Sequence, residues 1–248
     1  MTQAVRARIG SVVPRSSTEG ARRVRTLCPE DVQMERVGLE IAADDRAVET
    51  LYDLKGAKEI YLTRAPEIAT ERQWQGMAIG GAPVEVLNPG LLEELQARVA
   101  IPVTTAMSSC VAAIKAFSAQ RVLLMTPFDE GLDKLVANHL ANWGIEAVFP
   151  LSKPFLDFAA GSKISSGDVL TFAKQAFQGA RGVQCVYFQG PLNNRPILED
   201  VEKEAAVPVV SSSLASMWYL LSKLGLNYQI HGGGRLLYEW PRLPESQR

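Results

Sequence analysis

The segment VQCVYFQGPLNNRPILEDVE at residues 183–202, followed by VPVVSSSLASMWYLLSKLG at 207–225, decides the fold. It predicts a buried strand, a turn, a Glu-rich helix, a strand that starts after a proline, and an apolar helix. Residues 75–117 repeat this plan, because QGMAIGGAPVEVLNPG leads into LLEELQARVA and then into IPVTTAMSSCVAAIKAF. Two copies of one plan predict two similar α/β halves that face one another.

Short apolar runs alternate with amphipathic stretches along the chain, which is typical of mainly parallel sheets. The spacing of apolar residues predicts strands at 8–13, 36–41, 75–80, 102–105, 121–126, 146–150, 183–189 and 207–212. Apolar residues at helical spacing predict helices at 91–99, 129–142, 166–178 and 213–224. The predicted fold class is therefore α/β, with two pseudo-symmetric domains. Each has a mainly parallel four-stranded sheet flanked by helices, and the active-site cleft lies between them.

Composition excludes several classes of protein. The chain has 248 residues, of which 47% are hydrophobic, enough for one large core or two small ones. Its 26 basic and 27 acidic residues give a net charge of −1, which offers no electrostatic basis for binding nucleic acid. No apolar run approaches the roughly 20 residues of a membrane span, and the polar first residues do not resemble a secretory signal. Three cysteines fit a reducing compartment. We expect a cytoplasmic protein with no nucleic-acid or membrane partner.

Three segments carry a resemblance to a known family: RIGSVVP at 8–14, and the turns within 75–90 and 183–202. Together they resemble the aspartate/glutamate racemase superfamily, in particular its maleate isomerase and arylmalonate decarboxylase branch. In that branch each of two strands ends in a cysteine, or one of the two is a glycine. The resemblance implies two domains, 1–106 plus 213–248 and 107–212, and a homo-oligomer. It also implies a substrate that is a small carboxylate or carbonyl metabolite.

The resemblance places Gly80 and Gln189 where relatives keep the two cysteines. The spacing to 88–90 (Asn-Pro-Gly) supports the first position, and the distance to Pro208 supports the second. Glycine cannot exchange a proton, and the amide of glutamine can only form hydrogen bonds. These two residues therefore argue against two-thiol racemisation and against isomerisation through a thiol adduct.

The remaining cysteines do not replace the missing thiols. Cys185 lies four residues before Gln189, roughly 13 Å down the strand, at about 3.3 Å per residue. Cys110 falls within an apolar helix, so we expect both to be core residues. The two histidines have no metal-ligand spacing, and neither a GxGxxG motif nor a phosphate loop is present. We expect no metal and no cofactor.

The predicted cleft combines glycine turns with hydroxyl side chains, which can bind an anion through N–H and O–H groups. The substrate-binding prediction comprises Pro14, Arg15, Ser17, Gly80, Gly81, Ala82, Ser108, Phe128, Gly190, Ser211 and Ser212. Phe128 corresponds to a tyrosine of decarboxylase relatives. The catalytic candidates are Gln189, Glu85 in the loop after the first turn, and His231, which opens the HGGG string.

Two classes of function remain open at this stage. In the first, the chain is an enzyme that uses non-cysteine chemistry, as a decarboxylase, a hydrolase or a hydratase/lyase. In the second, it is a catalytically inactive family member that binds a small acid or a protein partner through the inherited cleft. A strongly basic or hydrophobic exposed surface would favour the binder, and an enclosed pocket with a perturbed carboxylate would favour the enzyme.

Overall fold

Two parallel four-stranded sheets form the centre of the molecule. The computed structural model describes residues 4–15, 25–41, 49–155, 158–190, 192 and 197–245. Sheet 1 has the order β2-β1-β3-β4, and sheet 2 has the equivalent order β6-β5-β7-β8. Their strands are β1 (Ala7–Val13), β2 (Val32–Gly38), β3 (Gly76–Ile79), β4 (Val103–Thr105), β5 (Arg121–Met125), β6 (Glu146–Val148), β7 (Cys185–Phe188) and β8 (Val209–Ser211). The predicted fold class, with two matching parallel sheets, is confirmed.

Helices flank both sheets. They are α1 (Glu49–Tyr52), α2 (Lys58–Glu71), α3 (Ala82–Val86), α4 (Leu91–Arg98), α5 (Ala106–Ala116), α6 (Glu130–Ala141), α7 (Phe158–Lys163), α8 (Ser166–Gly179), α9 (Leu198–Ala205), α10 (Ser212–Lys223) and α11 (Arg235–Glu239). The four helices predicted from apolar spacing correspond to α4, α6, α8 and α10. In the described parts of the chain, no helix is both long and apolar enough to cross a membrane.

The prediction for the second strand was wrong. We expected it at 36–41, whereas β2 begins at Val32 and ends at Gly38. It lies at the edge of sheet 1, where only Val32 is fully buried and Gln33 and Glu35 are exposed. A half-exposed edge strand carries polar residues on its exposed side. The apolar residues that predicted this strand therefore begin later in the sequence than the pairing of β2 with β1.

The two faces of sheet 1 pack into different cores. Ile9 and Ala78 belong to the large core that also contains the strands of sheet 2, whereas Val12 and Met77 belong to a separate core with Tyr61. Successive residues of a strand point to opposite faces, which explains why neighbours in sequence divide between the two cores. One face of sheet 1 is therefore turned toward the second half of the molecule.

The helices α5 and α10 join the two halves. Each starts at the carboxyl end of the last strand of its sheet, and the two pack against each other through Ser109 and Ser216, whose Oγ atoms lie 3.0 Å apart. Helix α10 also contacts β1, β3 and β4 of sheet 1. The last long helix of the chain thus lies on the first sheet. The division at 106/107 and 212/213 remains a prediction.

Candidate active site at the carboxyl ends of the strands

The register of each sheet places the two family positions beside helix starts. Ile79 pairs with Thr105, so Gly80 lies next to the junction of β4 and α5. Phe188 pairs with Ser211, so Gln189 lies next to the junction of β8 and α10. In parallel α/β sheets, ligands bind at the carboxyl ends of strands. These two strand ends are therefore the candidate site.

Gly80 has no room for a side chain in the present packing. A β-carbon added there would lie 2.6 Å from Cγ1 of Val13 and 3.3 Å from Oγ of Ser11. The Gly80 N–H donates to the carbonyl of Val12 at 2.8 Å. The prediction that this N–H helps to bind an anion was wrong, because the sheet already uses it. Gly81, with a φ of 95°, precedes α3 as its N-cap, and Ala82 is buried at the start of that helix.

Gln189 is turned into the protein. Only 1% of the residue is exposed. Its Nε2 donates to the hydroxyl of Tyr187 and lies 3.7 Å from Sδ of Met107. Residues two apart on a strand share a face, which brings Gln189 and Tyr187 together. The Gln189 N–H donates to the carbonyl of Met125 at 2.9 Å, so sheet 2 uses this predicted anion donor as well.

Glu85 lies in a buried hydrogen-bond network. We expected it in a loop, but it belongs to α3 and is 9% exposed. Its carboxylate accepts from the hydroxyl of Thr105, and from that of Ser108 at 3.1 Å. Burial raises the pKa of the Glu85 carboxyl, while His139 and the hydrogen bonds from Thr105, Ser108 and the Met107 N–H act in the opposite direction.

His139 completes this network from the other half of the molecule. It lies on α6, and its Nε2 is 3.6 Å from Oε1 of Glu85. This Nε2 is buried and has no hydrogen-bond partner among the described residues. His139 was not predicted as a site residue from sequence, because it and Glu85 are 54 positions apart and follow strands of different sheets. We name Glu85, Thr105, Ser108 and His139 the Glu85 network.

The Glu85 network extends toward the second family position. Burial is the largest cause of the raised pKa of both Cys110 and Tyr187, and Glu85 adds a smaller contribution in the same direction. Tyr187 is the residue to which Gln189 donates. The buried polar groups behind Gly80 and behind Gln189 therefore influence one another electrostatically.

A second polar network lies at the end of β5. Lys153 donates to the carbonyl of Phe128 at 2.6 Å and to Oδ2 of Asp133 at 2.5 Å. Thr126 donates to the same carboxylate and accepts from the Phe128 N–H at 3.2 Å. Both the N–H and the carbonyl of Phe128 are thus hydrogen-bonded. The residue is 4% exposed, so its ring is buried at the end of β5.

The remaining predicted binding residues divide into three groups. Ser211 and Ser212 are buried at the start of α10, and Gly190 follows Gln189. Pro14 and Arg15 follow β1 and are half-buried. Ser17 lies outside the described residues. Ser211 is the last residue of β8, and Ser212, Gly190 and Pro14 follow strands whose carboxyl ends border the candidate site.

His231 does not join this group. It is exposed, and its ring lies 4.9 Å from that of Tyr238, centroid to centroid. A β-carbon added at Gly234 would lie 3.0 Å from Glu202, whose carboxylate accepts the Val209 N–H at 2.8 Å. Val209 is the first residue of β8, so the HGGG segment lies near the amino end of that strand. The candidate site lies at its carboxyl end.

The three cysteines are unpaired and unsuited to nucleophilic chemistry. Cys110 and Cys185 are fully buried, and burial raises the pKa of both thiols. Burial, with a contribution from Asp31, raises the pKa of Cys28 to about 11. Within the described residues, no group of three or more His, Cys, Asp or Glu side chains is arranged to hold a metal ion.

Comparison with known proteins agrees with the fold. A model of the arylmalonate decarboxylase family matches residues 85–237. The chain is 24% identical over 141 residues to the maleate isomerase of Alcaligenes faecalis, and this match spans 56% of the chain and 55% of that relative. The chain thus matches about half the length of this curated relative.

Solved structures show the same architecture at low sequence identity. A variant of arylmalonate decarboxylase in its liganded form has a TM-score of 0.75 at 20% identity, covering 94% of this chain and 99% of that chain. The maleate isomerase Iso of Pseudomonas putida S16 has a TM-score of 0.71 at 20% identity, covering 94% and 99%. The maleate cis-trans isomerase of Nocardia farcinica, bound to Tris, has a TM-score of 0.71 at 21% identity.

The paired four-stranded sheets define the α/β class to which these decarboxylases and isomerases belong. Since the family model covers more than half of the chain, the protein belongs to the arylmalonate decarboxylase family.

Proposed function

We propose that the protein is a cofactor-independent enzyme that acts on a small carboxylate or carbonyl compound by non-cysteine chemistry. The reaction is of the decarboxylase, hydrolase or hydratase/lyase type. Relatives named for arylmalonate and for maleate support the substrate class, since both names denote small carboxylates. The observation that carries the proposal is the carboxyl of Glu85. It is buried beside the end of β3, and this burial raises its pKa.

Glu85 is the group that exchanges the proton in this proposal. A raised pKa brings the titration of a carboxyl closer to neutral pH, where the group can both donate and accept protons. The hydroxyls of Thr105 and Ser108 contact it directly, and each hydroxyl can accept one proton while it donates another. Both lie at the start of α5, next to Gly80, so they connect the buried carboxyl to the strand ends.

The experiment is a turnover assay by proton NMR in D₂O with malonates, maleate, hydroxy acids and lactones. We expect at least one compound to be converted, with deuterium incorporated where a proton is added. Glu85→Gln should lower the rate by about 10²–10⁴-fold, the usual contribution of a general acid or base. Glu93→Gln makes the same charge change on the exposed face of α4 and should have no effect.

A thiol control separates this chemistry from that of cysteine enzymes. The variant Cys28→Ser, Cys110→Ala, Cys185→Ala should retain turnover within a few-fold after correction for stability losses. Iodoacetamide should leave the native protein active, because the raised pKa values keep the thiols protonated. Inactivation that a dicarboxylate prevents would contradict non-cysteine chemistry.

The alternative is a catalytically inactive member that binds a small acid or a protein partner. The inward orientation of Gln189 and the contact of Val13 with the side-chain space of Gly80 favour it, because neither family position presents a reactive group. No product from the whole panel, together with a raised melting temperature in the presence of one acid, would support this alternative.

A further inference from the structure

Arg36 lies on the face of sheet 1 that is turned toward the second half. It shares this face of β2 with Val32, which belongs to the large core, because residues two and four apart on a strand point the same way. Its register partner on β1 is Ser11. Ser11 is 7% exposed and has its Oγ 3.3 Å from the position of a β-carbon at Gly80. Arg36, Ser11 and the side of Gly80 on which a β-carbon would lie therefore share one face.

The charge of Arg36 is not balanced within the described chain. Its Nε is buried without a hydrogen-bond partner, and no described carboxylate forms an ion pair with it. Burial lowers the pKa of the guanidinium, with no opposing contribution from a neighbouring anion. On the other face of β2, by contrast, exposed Glu35 lies 4.0 Å from Arg72. A cation that is partly removed from water without an anion reduces stability, and none of the described residues supplies an anion to Arg36.

The position of Arg36 matches the candidate site. Neighbouring strands lie about 4.8 Å apart, so β2 is about 10 Å from β3 across the sheet. Ser11 stands between them and offers a hydroxyl. A small molecule that lies over Ser11 can contact both the Arg36 guanidinium and the space beside Gly80.

We propose that Arg36, assisted by the hydroxyl of Ser11, binds the carboxylate of a small-molecule ligand whose reactive part lies beside Gly80. A guanidinium presents two parallel N–H groups to a carboxylate and fixes its orientation, which an ammonium cannot do. The inference rests on the proposed function, because it assigns the group that holds the substrate in the same site. Neither Arg36 nor Ser11 was among the residues predicted from sequence.

The test measures binding rather than turnover, so that its failure is distinct from failure of the proposed function. Isothermal titration at pH 7.5 would use phenylacetate, phenylmalonate and maleate as probes, with phenylacetamide as the uncharged counterpart. We expect at least one carboxylate to bind and the amide to bind at least tenfold more weakly. Arg36→Met should weaken the carboxylate by at least tenfold, or about 1.4 kcal/mol, and Arg36→Lys should restore only part of the affinity.

Arg8→Gln is the matched control, since Arg8 is an exposed arginine on β1 that donates to Gln73. It should bind the carboxylates as the wild type does. Equal affinity for the acid and its amide, equal affinity of Arg36→Met and wild type, or no binding of any carboxylate would each overturn the proposal. Should Arg36→Met fail to fold, the acid–amide comparison on the wild type and the Arg36→Lys variant decide the question. Turnover in the NMR assay with unchanged kinetics in Arg36→Met would leave the proposed function intact while excluding this role.

Discussion

A carboxyl group that folding removes from water, as in Glu85, binds its proton more tightly in the folded chain than in the unfolded chain. The unfolded pKa is about 4.3, and the folded pKa is higher. Between these two values the folded state binds more protons, so the free energy of unfolding decreases as the pH rises. The stabilisation from a protonated Glu85 is thus fully present below the unfolded pKa and is lost as the pH rises through the folded pKa.

Glu85→Gln should remove this contribution to the pH dependence of stability. Urea unfolding at intervals from pH 4 to pH 8 would show a shallower decrease for the variant than for the wild type. The side-chain amide has nearly the shape of the protonated carboxyl, so the hydroxyls of Thr105 and Ser108 keep a partner. Glu93→Gln provides the control, with an unchanged profile. Parallel profiles for wild type and Glu85→Gln would show that Glu85 does not titrate differently on folding.

At the scale of single elements, β1 depends on the absence of a side chain at one position. A β-carbon added at Gly10 would lie 2.1 Å from Cε2 and 2.2 Å from Cδ2 of the Trp74 indole. The indole is 5% exposed and packs in the separate core of sheet 1. Only glycine lets this ring lie directly on the strand.

Gly10→Ala should therefore lower the free energy of unfolding by about 1–3 kcal/mol, the usual cost of overpacking a core. Urea unfolding followed by circular dichroism measures the change. Gly167→Ala on α8 is the control, because the nearest atom to its added β-carbon is Ser165 Oγ at 3.8 Å. It should change stability by no more than about 1 kcal/mol, in the stabilising direction. A Gly10→Ala variant as stable as wild type would mean that Trp74 moves aside without cost.

Elements were predictable from sequence where burial was strong and regular. Strands β5 and β7 of sheet 2 lie in apolar runs, and the burial of β7 on both faces explains its clear signal. The edge strand β2 was misplaced because Gln33 and Glu35 are polar residues at its exposed positions, and Arg36 breaks the alternation at the next position. Helix α2 was not predicted at all; its buried positions include small residues such as Ala65 and Ala69, and Pro66 lies within it.

The candidate site was predictable only in part, because several of its contacts join residues that are far apart in sequence. Gly80 and Gln189 were placed at strand ends correctly, because turn residues directly follow apolar runs. The contact between Glu85 and His139 joins α3 and α6 from different halves, and no local pattern encodes it. Gln189 also contacts Met107 of α5, which is 82 positions away in sequence.

At the scale of the whole molecule, the two sheets share one core. The large core contains Ile9 and Ala78 of sheet 1 together with Leu123 and Val186 of sheet 2. If one half unfolds, it exposes the apolar surface that the other half buries in this shared core. The shared core therefore favours cooperative unfolding.

We expect the central strands of both sheets to unfold together. Native-state hydrogen exchange should give the same opening free energy for the amides of β1 and β7, equal to the global free energy of unfolding. The exposed residues of α4 and α8 should exchange through smaller openings. A lower opening free energy for all of sheet 1 than for sheet 2 would show instead that the halves unfold separately.

Val13 lies against the position that a side chain at residue 80 would occupy, and this contact limits which substitutions the chain tolerates there. A single codon change that placed a cysteine at residue 80 would push its β-carbon into the valine methyl group. The new thiol would therefore arrive together with a folding defect, unless residue 13 had already become smaller. The two substitutions can therefore be tolerated one after the other only if the one at residue 13 comes first. A single substitution at residue 80 therefore does not supply a thiol without a loss of stability.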